Sequence, residues 1–192
     1  MQTFLPFDDF VRSISVLDAR RARKQVIEAS QLLDTLLNRK DKSGWSNHPA
    51  ALMWRGYEDA LKIYQAVAYE LTSANTTWNK QQKEIVAPGV YPLPYWFGWP
   101  LFHESHKSRL YQKSVENVNK FNEELFNNLR NNGIANGSIG YVWPVQKQVE
   151  SQALSNWLKT NPPSRCIIIQ NPNECVNYVM HQEYKEAKGV SN

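Results

Sequence analysis

The 192-residue sequence predicts a mainly helical, all-α single domain built on three principal helices, with a small mixed appendage at its C-terminal end. Three observations predict this class. Apolar residues recur at spacings of three and four in two long N-terminal stretches, and a third amphipathic stretch follows Pro100. Prolines and glycines interrupt the chain between these stretches. With 42% apolar and 21% charged residues, the composition is that of an ordinary globular chain.

The first principal helix follows an extended lead-in over residues 3–10, because Pro6 lacks a backbone N–H and restricts the residue before it. Ser13 or Ser15 is expected to cap the helix start. The apolar stripe that faces the core consists of Ala19, Ala22, Val26, Ala29, Leu33 and Leu36.

The second principal helix is expected to run from Pro49 to about Thr72, with a capping side chain just before the proline. His48 stands at this start, where it can either cap the helix or donate to a ligand. Gly56 falls inside the predicted helix, and close approach of another backbone would explain why it is tolerated.

Residues 74–94 contain four prolines or glycines and are predicted to form a surface linker rather than a pair of strands. The aromatic cluster that follows, residues 95–99, has two interpretations. It either fills the core or offers planar faces on which exposed bases stack.

The third principal helix begins after Pro100 and carries His103 and His106 three residues apart, on neighbouring positions of one face. This spacing would suit two metal ligands, but Glu104 points away from both, so no metal is predicted. The alternatives are an anion-facing surface and an amphipathic helix whose histidines and cations are merely solvated. A further helical region ends at Asn131-Asn132-Gly133.

The sequence predicts a helical domain over residues 1–145 and a C-terminal extension of unknown role over residues 146–192. The extension is predicted to contain a short helix to Leu158, a strand over Cys166–Ile169 and a polar helix over residues 174–188. Cys166 and Cys175 could form a disulfide, but free thiols are favoured in a chain without a signal peptide.

The formal charge is +4 and the isoelectric point is near 9.0, which favours a polyanionic partner. Cations cluster off the apolar stripe of the first principal helix, where they either form a solvated face or bind phosphates. In the second case Glu28 or Gln25, on the same helix, could act at a reacting centre.

No apolar run approaches the roughly 20 residues that span a bilayer, and the N-terminus does not resemble a secretory signal. The protein is therefore expected to be soluble and cytoplasmic, without a membrane partner.

Five patterns together resemble a bacterial and phage group related to the pyrimidine-dimer DNA glycosylase (endonuclease V) family, over roughly residues 3–145. The patterns are Thr3-Phe-Leu-Pro, Leu17-Asp-x-x-Arg-x-x-Lys-Gln-x-x-Glu28, Trp45-x-Asn-His-Pro-Ala-x-x-Met-Trp-x-Gly-Tyr57, Ser105-His-Lys-Ser-x-Leu-x-x-Lys113 and Tyr141-Val-Trp-Pro144.

The resemblance implies a DNA repair enzyme that extrudes a nucleotide from duplex DNA and attacks the sugar C1′ with its N-terminal amine. The resulting imine breaks the strand, so the family combines glycosylase and lyase activities without a cofactor. The family's nucleophile is a threonine exposed by removal of Met, whereas here Gln2 lies between Met1 and Thr3. One copy of the chain is expected to bind DNA.

The site residues implied by this resemblance are Thr3 as the counterpart of the nucleophile and Glu28, with Gln25 beside it, as the catalytic carboxylate region. The expected phosphate-binding residues are Arg20, Arg21, Arg23, Lys24, Ser105, Lys107, Arg109 and Lys113.

Two other functions stay open at the level of the sequence. One is a DNA-binding protein that recognises distorted or modified bases without cleaving. The other is an enzyme on free nucleotides that uses His48, His103 and His106 as acid and base groups.

Overall fold

The computed structural model describes residues 2–37, 45–73, 82–144 and 165–181. In these ranges the chain forms α1 (Phe10–Ser15), α2 (Ala19–Leu36), α3 (Pro49–Trp54), α4 (Glu58–Ser73), β1 (Gly89–Pro92), α5 (Pro100–Val115), α6 (Lys120–Asn131), β2 (Cys166–Ile169) and β3 (Val179–His181). A short 3₁₀ helix, Cys175–Asn177, precedes β3. The prediction of a mainly helical fold is confirmed.

The core lies between α2 and α4, the helix pair with the most extensive packing, and α5 packs against α6. Leu32 and Leu33 of α2 and Leu61 and Tyr64 of α4 are all fully buried. Trp96 and Phe97 are buried as well, so these two members of the aromatic cluster fill the core. Because burial of each such side chain stabilises the fold by roughly 1.5–3 kcal/mol, this core holds the site-bearing helices in place.

The predicted start of the first principal helix was wrong. Two aspartates cap two helices: Asp9 accepts from the Arg12 N–H at the start of α1, and Asp18 accepts from the Arg20 and Arg21 N–H groups at the start of α2. Ser13 lies within α1, where its hydroxyl is buried and hydrogen-bonded to the backbone of Phe7. A carboxylate serves as a helix cap as well as a hydroxyl does, and here it is used twice.

The second principal helix is not continuous, which corrects the prediction for Pro49 to Thr72. Gly56 has a φ of +85° and separates α3 from α4. A Cβ at this position would meet no atom within 4 Å, so close approach of another backbone is not the reason for the glycine. The reason is its left-handed conformation, which other residues adopt only at a cost.

Part of the predicted linker is a strand. β1 pairs antiparallel with β2, with Gly89 opposite Ile169 and Pro92 opposite Cys166, and β2 pairs antiparallel with β3. The strand partner lies about 75 residues away along the chain, and a local sequence pattern carries no information about such pairing. The sheet thus joins the two ranges divided at residue 145.

The strand predicted at Cys166–Ile169 is confirmed, and both cysteines are buried free thiols, as favoured. The polar helix predicted from residue 174 is wrong over its described part, where the chain forms the 3₁₀ helix and β3. Glu70 of α4 accepts the N–H groups of Cys175 and Val176, both at 2.8 Å, and so satisfies the first donors of this single turn. The helix predicted up to Leu158 lies outside the described residues.

Candidate active site

A cavity of about 730 Å³ opens between the start of α2, the N-terminal segment and the connection from α5 to α6. Four cations line it: Arg20, Arg21, Lys24 and Lys113. Its other lining residues are Gln2, Phe4, Gln25, Glu28, His48, Glu116, Asn117, Asn119, Phe121, Asn122, Tyr141 and Trp143. The cavity therefore combines positive charge, amide groups, aromatic rings and the Glu28 carboxylate.

The N-terminal segment is fixed against the cavity by its backbone N–H groups. Gln2 donates to Glu28 Oε2 at 2.6 Å, Phe4 donates to Gln25 Oε1 at 2.8 Å, and Leu5 donates to His106 Nδ1 at 3.1 Å. Side chains of α2 and α5 thus accept hydrogen bonds from three backbone N–H groups of this segment. Three of the residues singled out in the sequence act together in this arrangement.

Glu28 is 7% exposed and lies 3.3 Å from the Lys24 ammonium. Its helix position, one turn after Lys24, produces this pairing directly. Its negative charge also acts on the phenol of Tyr64, whose pKa is raised first by burial and then by Glu28. The carboxylate thus sits at the boundary between the core and the cavity, with a cation on its open side.

Gln25 lies one turn before Glu28 and is fully buried. Its Oε1 accepts two hydrogen bonds, from the Phe4 N–H and from the Tyr64 hydroxyl, both at 2.8 Å. Gln25 therefore positions the chain next to Glu28.

Thr3 is fully buried, and its hydroxyl accepts from the Trp54 indole N–H at 2.9 Å. Its side chain is directed at the core, and Thr3 is not among the residues that line the cavity. The Gln2 nitrogen, one residue earlier, is the backbone atom of this segment bonded to Glu28.

His48 lines the cavity and caps α3, since its Nδ1 accepts from the Ala50 N–H at 3.1 Å. Burial lowers its pKa below the ordinary histidine value. The neutral imidazole is the form that can accept this capping bond. The cap predicted as one role of His48 is therefore present, and donation to a ligand in the cavity stays a prediction.

His103 and His106 lie away from the cavity lining and hold backbone groups. His103 Nε2 accepts from the Gly98 N–H at 2.9 Å, and its Nδ1 bonds the Leu5 carbonyl at 2.8 Å. His106 is fully buried, and desolvation lowers its pKa to about 3. Both rings clamp Leu5, which favours a positioning role for this pair over exchange of protons with a ligand.

The cations of α2 divide into those at the cavity and those away from it. Arg21 is held by Asp18 at 2.6 Å and by Asn122 at 2.9 Å, while the Arg20 guanidinium lies 6.0 Å from the Phe121 ring centroid. Arg23 is exposed and does not line the cavity. The helix thus directs Arg20, Arg21 and Lys24 to one side.

Of the cations and serines expected on α5, Lys113 lines the cavity. Arg109 does not line the cavity, and its guanidinium lies 5.5 Å from the Tyr141 ring centroid. Ser105 is buried and bonded to the Phe102 carbonyl, and Lys107 pairs with Glu104. The structure does not bring these last two to the cavity.

Several lining residues were not among the expected site residues: Asn117, Asn119, Phe121, Asn122, Tyr141 and Trp143. Tyr141 and Trp143 belong to a pattern noted in the sequence, which was a usable signal. Asn119 caps α6, and a capping asparagine before a helix is ordinarily read as structural alone.

Within the described residues, no group of three or more histidine, cysteine, aspartate or glutamate side chains is arranged to hold a metal ion. No helix in the described ranges is long and apolar enough to cross a membrane.

Residues 1–83 match the family model described as pyrimidine dimer DNA glycosylase. This range contains α1 to α4, including Glu28 and His48, and it relates the chain to that family. Neither the curated proteins nor the solved structures compared with the chain contain a match.

Proposed function

We propose that this chain, related through residues 1–83 to the pyrimidine dimer DNA glycosylases, is a DNA repair glycosylase that acts on a damaged or modified base in duplex DNA. Glu28 is its proposed catalytic carboxylate. The observation that carries the proposal is the 2.6 Å hydrogen bond between Glu28 and the Gln2 nitrogen at the edge of a cation-lined cavity.

The charges around the cavity support DNA as the substrate. Arg20, Arg21, Lys24 and Lys113 line the cavity, and cations in such a place bind backbone phosphates by counterion release. Phosphate contacts give affinity and position, while the reacting group must reach Glu28 inside the cavity. Extrusion of one nucleotide from the duplex would meet this requirement, with one copy of the chain bound.

The position of Glu28 supports an amine-based reaction. A primary amine at the position of the Gln2 nitrogen would lie against the carboxylate, which can accept its proton and leave it nucleophilic. Attack on the sugar C1′ would release the base and form an imine. If the amine is not available there, the same carboxylate can accept a proton from an attacking water.

The test is sodium borohydride trapping on duplex DNA that contains either an abasic site or a cyclobutane pyrimidine dimer. A covalent adduct supports the amine route, and peptide mass analysis of the adduct identifies the residue that carries the amine. Base release without an adduct supports the water route. The absence of both base release and strand cleavage on these substrates overturns the glycosylase proposal and leaves a DNA-binding protein.

Glu28→Gln is the decisive variant, because glutamine keeps the size and an oxygen that accepts from the Gln2 N–H. We expect base release to fall by at least about a hundredfold, the range of a lost general base, with DNA affinity retained. Glu116→Gln is the matched control, since Glu116 lines the same cavity but is exposed. Equal losses in both variants would contradict a specific role for Glu28.

A further inference from the structure

Four rings form a continuous row of contacts, hereafter the aromatic row: Trp45, His48, Trp143 and Tyr141. The ring centroids of Trp45 and His48 are 5.1 Å apart, those of His48 and Trp143 6.0 Å, and those of Trp143 and Tyr141 5.6 Å. The interplanar angles are 67°, 84° and 46°, so neighbouring rings meet edge to face or tilted. Such contacts fix ring positions, because aromatic pairs prefer them over face-to-face stacking.

The aromatic row leads from the protein surface into the molecule along the cavity. Trp45, at its outer end, is 44% exposed, and Tyr141, at its inner end, is in contact with the buried His106 ring at 5.3 Å. His48, Trp143 and Tyr141 all line the cavity that contains Glu28. Two separate parts of the chain build the row, the residues before α3 and those after α6.

The remaining features of the cavity define what the row can bind. A planar, uncharged aromatic group would stack on these rings, while the cations of the same cavity attract an attached phosphate. Burial raises the pKa of Tyr141 to about 12, so its ring carries a neutral phenol at physiological pH. At about 730 Å³, the cavity is within the range that accommodates a nucleotide-sized group.

We propose that the aromatic row receives the extruded nucleobase by stacking, with Trp143 as the principal stacking partner. This inference rests on the proposed action on duplex DNA and names the part of the cavity that takes the base. Of the three rings of the row that line the cavity, the Trp143 indole offers the largest planar face, and its contacts with His48 and Tyr141 hold it in position. Stacking on an aromatic ring accepts any base, so the polar groups that line the cavity would have to discriminate between bases.

The test uses a duplex with one mismatched 2-aminopurine nucleotide on a 2′-fluorinated sugar, which provides an extrudable base at the reacting position and resists attack at C1′, so that no imine forms. Trp143→Ala is expected to weaken binding of this duplex by about fivefold to a hundredfold, the worth of one base–aromatic stack. The dependence of affinity on salt should stay unchanged, because stacking neutralises no phosphate. The 2-aminopurine fluorescence of the bound complex should rise, since the extruded base loses the ring that quenches it.

Trp143→Phe keeps a planar ring and should restore most of the affinity and of the quenching. Trp99→Ala is the control for loss of an indole elsewhere on the protein, because Trp99 is 44% exposed and does not line the cavity. A thermal melt of each variant shows that it folds. The inference is overturned if Trp143→Ala binds and quenches like the unmodified protein, if the phenylalanine variant loses as much as the alanine variant, or if Trp99→Ala has the same effect.

This test separates the stacking inference from the proposed catalytic function. The fluorinated nucleotide resists cleavage, so binding and fluorescence report on the aromatic row whether or not base release is detected with other substrates. Failure of the trapping experiment with normal stacking would leave a base-extruding DNA-binding protein. Normal base release with no effect of Trp143→Ala would remove the stacking site alone.

Discussion

At the scale of single residues, the chain uses histidine as a neutral hydrogen-bonding group rather than as a charge. The Leu5 N–H donates to His106 Nδ1, which requires the proton to be on Nε2, and the Gly98 N–H donates to His103 Nε2, which requires the other tautomer. Protonation of either ring would place an imidazole N–H against the backbone N–H that now donates to that nitrogen. Two donors would then face each other, and the hydrogen bond would be lost. The buried histidine pair therefore fixes the N-terminal segment that carries the Gln2 nitrogen to Glu28.

This arrangement predicts a stability that falls in mild acid. Desolvation lowers the pKa of His106 to about 3 from an ordinary value of 6.5, so the contribution is complete above pH 6.5 and is lost as the pH falls toward 3. Between these two pH values the unfolded state binds one more proton than the folded state. The free energy of unfolding therefore falls by up to about 1.4 kcal/mol for each pH unit. Burial also lowers the pKa of His103, so His103 changes the pH dependence of stability in the same direction.

His106→Asn keeps an acceptor for the Leu5 N–H and removes the titrating ring. We expect the free energy of unfolding, measured in urea between pH 5 and pH 6.5, to depend on pH less steeply by about 1.4 kcal/mol per unit than in the unmodified protein. Measurement at pH 7.5 establishes that the variant folds. Identical slopes for the two proteins would show that His106 titrates normally in the fold.

At the scale of elements, short breaks between helices decide where the site residues lie. Asp18 starts α2 at a position that places Arg21, Lys24 and Glu28 along one side. The turn at Gly56 separates α3, which His48 caps, from α4, which packs against α2. A continuous helix from Pro49 could not meet both requirements, because its direction would not change at this point.

Gly56→Ala tests this break. The φ of +85° at this position costs an alanine about 1–2 kcal/mol. A Cβ there would meet no atom within 4 Å, so new contacts would not offset this cost. We expect the free energy of unfolding to fall by about 1 kcal/mol, measured by urea denaturation. Gly140→Ala is the matched control, since a Cβ there also meets no atom within 4 Å but its φ is not positive. Equal stability of the two variants would contradict a required left-handed residue between α3 and α4.

At the scale of the whole molecule, distant parts of the chain converge on the N-terminal segment. Tyr178, next to β3, donates to Asp9 and accepts from the Phe10 N–H, both at 2.8 Å. Arg165 pairs with Asp8 at 3.2 Å. Together with the α5 histidines, these contacts hold the segment from two sides. Among the described residues, four cations and the carboxylates of Glu28 and Glu116 line the cavity that this segment borders.

The charge distribution predicts a salt-dependent affinity for DNA that depends on particular cations. Lys113→Ala should reduce the slope of log affinity against log salt concentration by about one, the value for one lost phosphate contact. Arg130→Ala, on the exposed end of α6 and away from the cavity, should leave the slope unchanged. Fluorescence anisotropy with a labelled duplex measures both slopes. A loss of equal size in the two variants would show that binding follows overall charge instead of the cavity.

Local patterns were sufficient for the helical class and for the strand at Cys166–Ile169, and they offered the cap as one of two roles for His48. These features depend on residues close together in the chain, whose spacing and capping groups are visible in the sequence. The roles proposed for Glu28 and the basic residues stay predictions that the experiments above can test.

By itself, the sequence determined a helical, basic chain with a carboxylate on its first long helix. Tertiary structure alone decided the pairing of β1 with β2, the burial of His103 and His106, and the meeting of His48 with Trp143. The physical reason is that these outcomes depend on contacts between residues that are about 75 to 100 positions apart. Packing and desolvation of the whole chain select such contacts, and the spacing of neighbouring residues in the sequence does not predict them.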